Sequence, residues 1–333
     1  MASADLPPLR YLAGADVIAA MPSLEERLRL AELTMTALVA DAELPPKTVV
    51  HPRPQHSIGH AMPAYLRGVD GRGSGDALGL KWVTAFFANA DQGLPAIHAL
   101  VLLNDPLTGV PLAILDGGPI TAQRTAAVSG VAIGRFAPPV VGRAPRVTLI
   151  GAGIQGRSHL DVIGHLLPGC ALTLASRHPG RAERLAMVAR TTPGIAAVSV
   201  VGDARRAALG ADVVVTAATM GPVRQVMSGD WLGPRSLVVA IDYATYVSAQ
   251  VAREAAIFLV DDRSQFLANR DAGLFEAYPD PTMTLGEAIL AGAQRPEGRV
   301  VVTHLGVGLA DVIFATSILA KAEAAGLGLL LPR

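Results

Sequence analysis

The sequence predicts an α/β protein built on a doubly wound parallel sheet, with a second region of α+β pattern. Three observations predict it. Residues 146–159, Arg-Val-Thr-Leu-Ile-Gly-Ala-Gly-Ile-Gln-Gly-Arg-Ser-His, read as a short β-branched strand, a glycine turn and the start of a helix. From residue 146 onward, apolar strand-like runs alternate with helical ones, the pattern of parallel strands joined by crossover helices. Ahead of that region, apolar runs are joined by turn-rich segments, the pattern of an antiparallel meander.

Taken in order, residues 15–40 look helical. Ser23 can cap, with Glu26 three residues on as a capping box, and Leu24, Leu28, Ala31, Met35 and Leu38 recur at helical spacing. Residues 44–78 hold many Pro, Gly and His and read as loop with short strands, interrupted by Met62-Pro-Ala-Tyr65. Strand-like runs follow at 78–87, 97–103 and 111–115, with a turn at 104–109. Residues 121–135 form a helix of small residues, and 138–145 a linker. The alternating region has strands at 146–150, 171–176, 196–201, 212–218, 236–241 and 257–260, with helices at 156–167, 179–190 and 203–209. Residues 309–325 form one more amphipathic helix, which returns to the first part of the fold.

Composition narrows the function classes. The chain has 333 residues, 51% hydrophobic and 17% charged, enough for two domains with large cores. The 28 basic and 28 acidic residues cancel, against a dedicated nucleic-acid binder. The single cysteine, Cys170, forms no internal disulfide and fits a reducing cytoplasm as a buried small residue. The first residues carry neither a basic n-region nor an apolar h-region, so no signal peptide is expected. No apolar run reaches the roughly 18 residues of a membrane span. The mean hydropathy of +0.40 is high; a sheet buried on both faces explains part of it, and an oligomer interface more.

The glycine turn carries the first chemistry. Gly151, Gly153 and Gly156 have G-x-G-x-x-G spacing, with Ala152, Ile154 and Gln155 between them. Gly151 allows the tight turn, Gly153 lets a pyrophosphate approach the backbone, and Gly156 lets helix pack on strand, with phosphates at the helix N-terminus. The motif alone is weak, but a second strand about twenty residues on gives the βαβ context of a dinucleotide site. The end of that strand decides which dinucleotide. An acid there would suit the ribose 2′-hydroxyl of NAD; this chain has Ser176-Arg177-His178. A hydroxyl and a guanidinium suit a 2′-phosphate, so NADP(H) is favoured over NAD(H). The alternative is that Arg177 covers the adenine face and both cofactors work.

Three further residues stand out. Lys81 lies in an apolar run, where a buried lysine is rarely unpaired. Arg124 lies among Ala and Thr at a helix start. Asp242 ends the run Val238-Val-Ala-Ile-Asp, at the carboxyl edge where doubly wound sheets bind ligands.

Gly79-Leu-Lys81-Trp-Val, Gly93-Leu-Pro95, Asp116-Gly-Gly, Ile120-Thr-Ala-Gln-Arg124-Thr-Ala-Ala127, the glycine turn, Val260-Asp-Asp-Arg263 and Leu305-Gly-Val-Gly-Leu-Ala-Asp311 together resemble the ornithine cyclodeaminase/μ-crystallin family. The resemblance runs from about residue 45 to 327. It implies a Rossmann domain, residues 126–305, inserted into a substrate-binding and dimerisation domain of residues 1–125 and 306–333. It also implies a homodimer, and hydride transfer between nicotinamide and the α-carbon of an amino acid or its imine. By the same resemblance Lys81 holds the substrate carboxylate, Arg124 contacts carboxylate and cofactor, and Asp242 exchanges the proton. Lys47 aligns near a second carboxylate-binding cation, with Arg53 as its rival. His60, two residues before Met62, falls where the ornithine enzyme has a glutamate, which weakens an ornithine reading; His51 and His56 are structural or exposed. Met62 and Leu305 line the substrate, and Thr219 and His304 the nicotinamide end. No metal set is expected, because His51, His56 and His60 lack a partner carboxylate at useful spacing.

Three functions follow from the resemblance. The first is an NAD(P)H-dependent imine reductase or amino-acid dehydrogenase. The second is an ornithine- or lysine-type cyclodeaminase recycling its NAD. The third is a non-enzymatic NADP-dependent binding protein. A small amino acid or imine is the expected partner, with neither nucleic acid nor membrane.

Overall fold

The computed structural model describes residues 6–68, 75–220 and 223–333. The chain divides into two compact units, residues 1–124 with 307–333, and residues 125–306. Among the described residues no helix is long and apolar enough to cross a membrane.

The first unit opens with β1 (Leu9–Leu12), α1 (Gly14–Ala19) and α2 (Leu24–Ala40). The helix expected over 15–40 is thus two helices. Pro22 disfavours helical backbone at the residue before it, and Ser23 restarts the helix by accepting the Glu26 N–H. Then come β2 (Ala42–Glu43), β3 (Thr48–Val50), β4 (Ile58–Leu66), β5 (Ala77–Ala85), β6 (Ile97–Asn104) and β7 (Pro111–Asp116). The stretch read as loop therefore holds a nine-residue strand, β4. Pro63 is tolerated there because β3 pairs with 59–61 and β2 with 65–66, so on that flank no ladder bond is lost.

Helix α3 (Gly117–Phe136) starts four residues before the expected 121. Pro119 sits in its first turn, where the N–H it lacks would have no intrahelical partner. The second unit follows as β8 (Arg146–Ile150), α4 (Ile154–Leu166), β9 (Cys170–Ala175), α5 (Pro179–Ala189), β10 (Ile195–Val201), α6 (Ala204–Ala208), β11 (Val213–Thr216), β12 (Leu237–Ala240), α7 (Ala249–Arg253), β13 (Ile257–Val260), α8 (Arg263–Asp271), β14 (Met283–Thr284), α9 (Leu285–Leu290) and β15 (Val300–Thr303). The chain ends with α10 (Gly308–Ala324) and β16 (Leu329–Leu331), both of the first unit.

The second unit is the predicted doubly wound sheet. Its order is β10-β9-β8-β11-β12-β15-β13-β14, with every pairing parallel. Strands β11, β12, β13 and β15 are buried along their whole length, as strands covered on both faces must be. The order reverses between β8 and β11, where such folds open a crevice at the carboxyl ends of the strands.

The first unit is one mixed sheet, β16-β1-β7-β6-β5-β4-β2, with β3 also on β4. Its inner face packs on α10, which contacts β4, β5, β6 and α2. Residues 308–315 of α10 are buried all round, so the helix expected to be amphipathic is a central one in its first half. Gly308 permits this, since a Cβ there would lie 2.5 Å from the Met62 carbonyl oxygen.

Phe314 is fully buried on α10. Phe314→Ala is expected to cost about 3–5 kcal/mol, read as a lower urea midpoint at unchanged slope.

Candidate active site

The glycine turn lies in the second unit between β8 and α4. Gly151 takes φ +118°, a conformation that side chains oppose, and a Cβ there would sit 2.3 Å from the Ala217 oxygen. Gly153 is the N-cap of α4, offers no side-chain cap and has open space where a Cβ would point. The first N–H groups of a 13-residue helix are thereby left to an anion. The residues present fit the phosphates of a dinucleotide. One pocket, lined by Gly151, Ala152, Gly153, Ser176, Arg177 and Thr219, joins this turn to the end of β9. His178, Arg181 and Tyr246 line it too, and sequence reasoning gave them no role. Ser176 Oγ accepts the His178 N–H at 3.2 Å, so its side chain turns back over the loop. Ile154 (72% exposed), Gln155 and buried Gly156, in the first turn of α4, do not line it.

Asp242 follows β12 at the carboxyl edge of the same sheet. It is 2% exposed, and among the described residues neither carboxylate oxygen has a hydrogen-bond partner. The Thr216 hydroxyl and the N–H groups of Ala218, Tyr246 and Thr245 face it and temper the shift, but none closes to hydrogen-bonding geometry. Burial pushes its carboxyl up to about 6. The backbone just beyond is strained, with Tyr243 at φ +51° and Ala244 at φ +59°. Tyr243 Oη donates to the Leu305 carbonyl, and the Leu305 and Gly306 N–H groups donate to Asp261 at 2.9 and 2.7 Å. Leu305 and His304, on the neighbouring strand's exit, are therefore held from both sides. His304 is buried, its backbone N–H donating to Ala240 and its Nε2 lying 2.9 Å from Ser129 Oγ.

The first unit gathers the cations. Lys81 Nζ lies 2.6 Å from Asp311 Oδ2, and Arg124 Nε 3.1 Å from Asp311 Oδ1. All three are buried, Lys81 at 2% and Asp311 at 0% exposure. Burial alone would raise the Asp311 carboxyl, but Arg124 and Lys81 override it and hold the group below the ordinary range. Burial lowers the Lys81 ammonium against the pull of Asp311. The carboxylate is thus charged across the neutral range. Met62 is directly opposite Lys81 in the ladder, and His60 lies on the same face two residues back. Burial, then Lys47, Lys81 and His51, push His60 down to about 4, so it is uncharged at pH 7. Lys47 is half-buried beside β3, while Arg53, His51 and His56 are exposed. Among the described residues no cluster of His, Cys, Asp or Glu is placed to hold a metal ion.

Asp311 is a site residue to which the sequence alone assigns no role. The signal was present: a carboxylate inside the apolar run Leu309–Phe314 requires a cation if that run is buried. Asp311→Asn would leave Lys81 and Arg124 buried without their anion, a loss of about 3–5 kcal/mol in denaturant unfolding at pH 7. Because the folded pKa of Asp311 is depressed, its contribution is present above the ordinary carboxyl range and lost as pH falls through the folded value. The wild-type and Asp311→Asn stabilities are therefore expected to converge in acid.

The profile of the ornithine cyclodeaminase/mu-crystallin family matches residues 15–325. The nodulation efficiency protein NfeD of Rhizobium meliloti is 31% identical over 328 residues, 96% of this chain and 98% of that protein. The ketimine reductase mu-crystallin of Mus musculus is 29% identical over 277 residues, 81% of this chain and 82% of its own. Among solved structures, the Δ(1)-pyrroline-2-carboxylate reductase of Thermococcus litoralis, in complex with NADH and L-proline, aligns with a TM-score of 0.83 at 24% identity. That alignment covers 97% of this chain and all of the other, and it establishes the shared fold. The chain belongs to the ornithine cyclodeaminase/mu-crystallin family.

Proposed function

We propose that this chain is an NAD(P)H-dependent oxidoreductase that reduces the C=N bond of an imino acid or cyclic imine, or oxidises the corresponding amine. The observation that carries the reading is Asp242, a buried carboxyl at the carboxyl edge of the sheet, without a hydrogen-bond partner among the described residues and shifted to about 6. Such a group gives and takes a proton near neutral pH. The dinucleotide, held by Gly151 to Gly156 and the Ser176–Arg177 rim, supplies or accepts the hydride when bound. Lys81 and Arg124 hold the substrate carboxylate: two cations share the one Asp311 anion, so the cluster keeps a positive balance that a carboxylate neutralises. By the family resemblance Met62, Lys47 and His60 of the first unit and Leu305 of the second are the further substrate candidates, and Thr219 and His304 the candidates for the nicotinamide end.

NADP(H) is the favoured cofactor. Arg177, with His178 and Arg181 on the same pocket wall and no acid among the lining residues, suits a 2′-phosphate. The cyclodeaminase reading has less support. The charged groups that shift His60 are the cations Lys47 and Lys81 and the ring of His51, surroundings that disfavour a second substrate ammonium. A homodimer is supported by the outer face of the first unit's sheet. Trp82 and Leu100 are directly paired there and 41% and 45% exposed, with Val50 beside them at 47%.

A spectrophotometric screen of NADPH and NADH oxidation with cyclic imines, and with 2-oxoacids plus ammonia or methylamine, tests the reaction. Oxidation by at least one imine is expected; none with any would overturn the reading. Reduction needs protonated Asp242, so its rate is expected to fall as pH rises past about 6, while amine oxidation rises over the same range. In Asp242→Asn both limbs should vanish, with rates down about 10²–10⁴-fold. Arg177→Ala should raise KM for NADPH about tenfold or more while leaving that for NADH within about twofold, the loss of one charge-assisted contact.

A further inference from the structure

Ser129 on α3 and His159 on α4 have no role in the reaction above, yet both are 0% exposed. They form one hydrogen-bonded chain inside the second unit. His159 Nδ1 lies 2.6 Å from the Gln155 carbonyl oxygen, and its Nε2 lies 2.8 Å from Ser129 Oγ. Ser129 Oγ lies 2.9 Å from His304 Nε2.

The protons on this chain can be assigned one after another. A carbonyl oxygen only accepts, so His159 Nδ1 carries a hydrogen and donates it to Gln155. Burial pushes the His159 ring down to about 4, so at neutral pH it is uncharged and Nε2 holds a lone pair. The Ser129 hydroxyl has a single proton and directs it at that lone pair. Its oxygen is then left to accept, so His304 Nε2 carries a hydrogen and donates it to Ser129. The same holds whether His304 is neutral or charged.

We propose that Ser129 and His159 are positioning residues that lock a proton on Nε2 of His304, so that His304 exchanges protons, or accepts a hydrogen bond, only through Nδ1. The relay begins at a backbone carbonyl in the first turn of α4, the turn assigned to phosphate binding. It ends beside β12, where the His304 N–H donates to Ala240, two residues before Asp242. One chain of buried bonds therefore ties the phosphate turn to the edge that carries the proton-exchanging aspartate. This functional consequence rests on the proposed reaction; the proton assignment does not.

Two measurements test it. In protein labelled with [15N]histidine, long-range proton–nitrogen correlation at pH 7 should show His159 protonated on Nδ1 alone and His304 protonated on Nε2. The His304 signals are assigned by their loss in His304→Gln. Ser129→Ala should convert His304 to a mixed tautomer and lower kcat for imine reduction about tenfold or more, the scale on which misplaced groups act, with KM for the imine within about threefold. Ser129→Thr keeps the hydroxyl and should restore both the spectrum and kcat. A His304 protonated on Nδ1 alone in the wild type overturns the proposal even if Ser129→Ala does not fold. So does a Ser129→Ala protein with the wild-type tautomer, or a Thr variant no better than Ala. A wild-type chain that reduces no imine overturns the reading of the reaction and leaves the tautomer assignment standing.

Discussion

Two cations cannot be held in an apolar interior without an anion, and the first unit is arranged around supplying one. Asp311 reaches Lys81 and Arg124 with one oxygen each. It can do so because α10 begins at Gly308, pressed against the Met62 carbonyl on the strand next to that of Lys81. The first turn of a helix also favours a carboxylate electrostatically. Close packing, helix start and ion pairing are one requirement here. The group that makes the interior tolerable is outnumbered by the charges it serves.

The second unit applies the opposite logic at its carboxyl edge. Asp242 is buried with no completed hydrogen bond among the described residues, and burial raises its carboxyl toward neutrality. Left-handed backbone at Tyr243 and Ala244, of order 1–3 kcal/mol each, is tolerated directly after it. Stability in a sheet of fully buried strands is what such a local cost draws on. One unit thus holds its charges by pairing them, and the other keeps one group unpaired.

Much of this was legible in the sequence, and the exceptions have physical causes. Every strand run expected from 146 to 260 exists, because β-branched runs bounded by turns leave little else for the chain to do. The short strand β14 and the helix α8 went unread, since a two-residue strand or a mostly polar nine-residue segment gives no period. Strand β4 was obscured by Pro63, whose cost depends on which neighbours pair at that point, a tertiary fact. The glycine turn, Lys81, Arg124 and Asp242 were visible because each breaks the local pattern. Asp311 breaks it equally, but its importance lies in meeting Lys81 and Arg124, which are far away in sequence. Ser129 and His159 were invisible for a plainer reason: a serine in a small-residue helix and a histidine after a glycine turn announce nothing until their partners are known.

The pairing of β1 with β16 has a consequence for the order in which the chain acquires its structure. Leu9 meets Leu331 at one edge of the first sheet, so that sheet closes only when the last residues have been made. The second unit is continuous in sequence, residues 125–306. Arg124 and Asp311 are separated by 187 residues, about 10 to 40 s of synthesis at ordinary rates. For that interval, while the second unit is being made, a nascent chain carries an open meander that still lacks both its central helix and the anion between its cations.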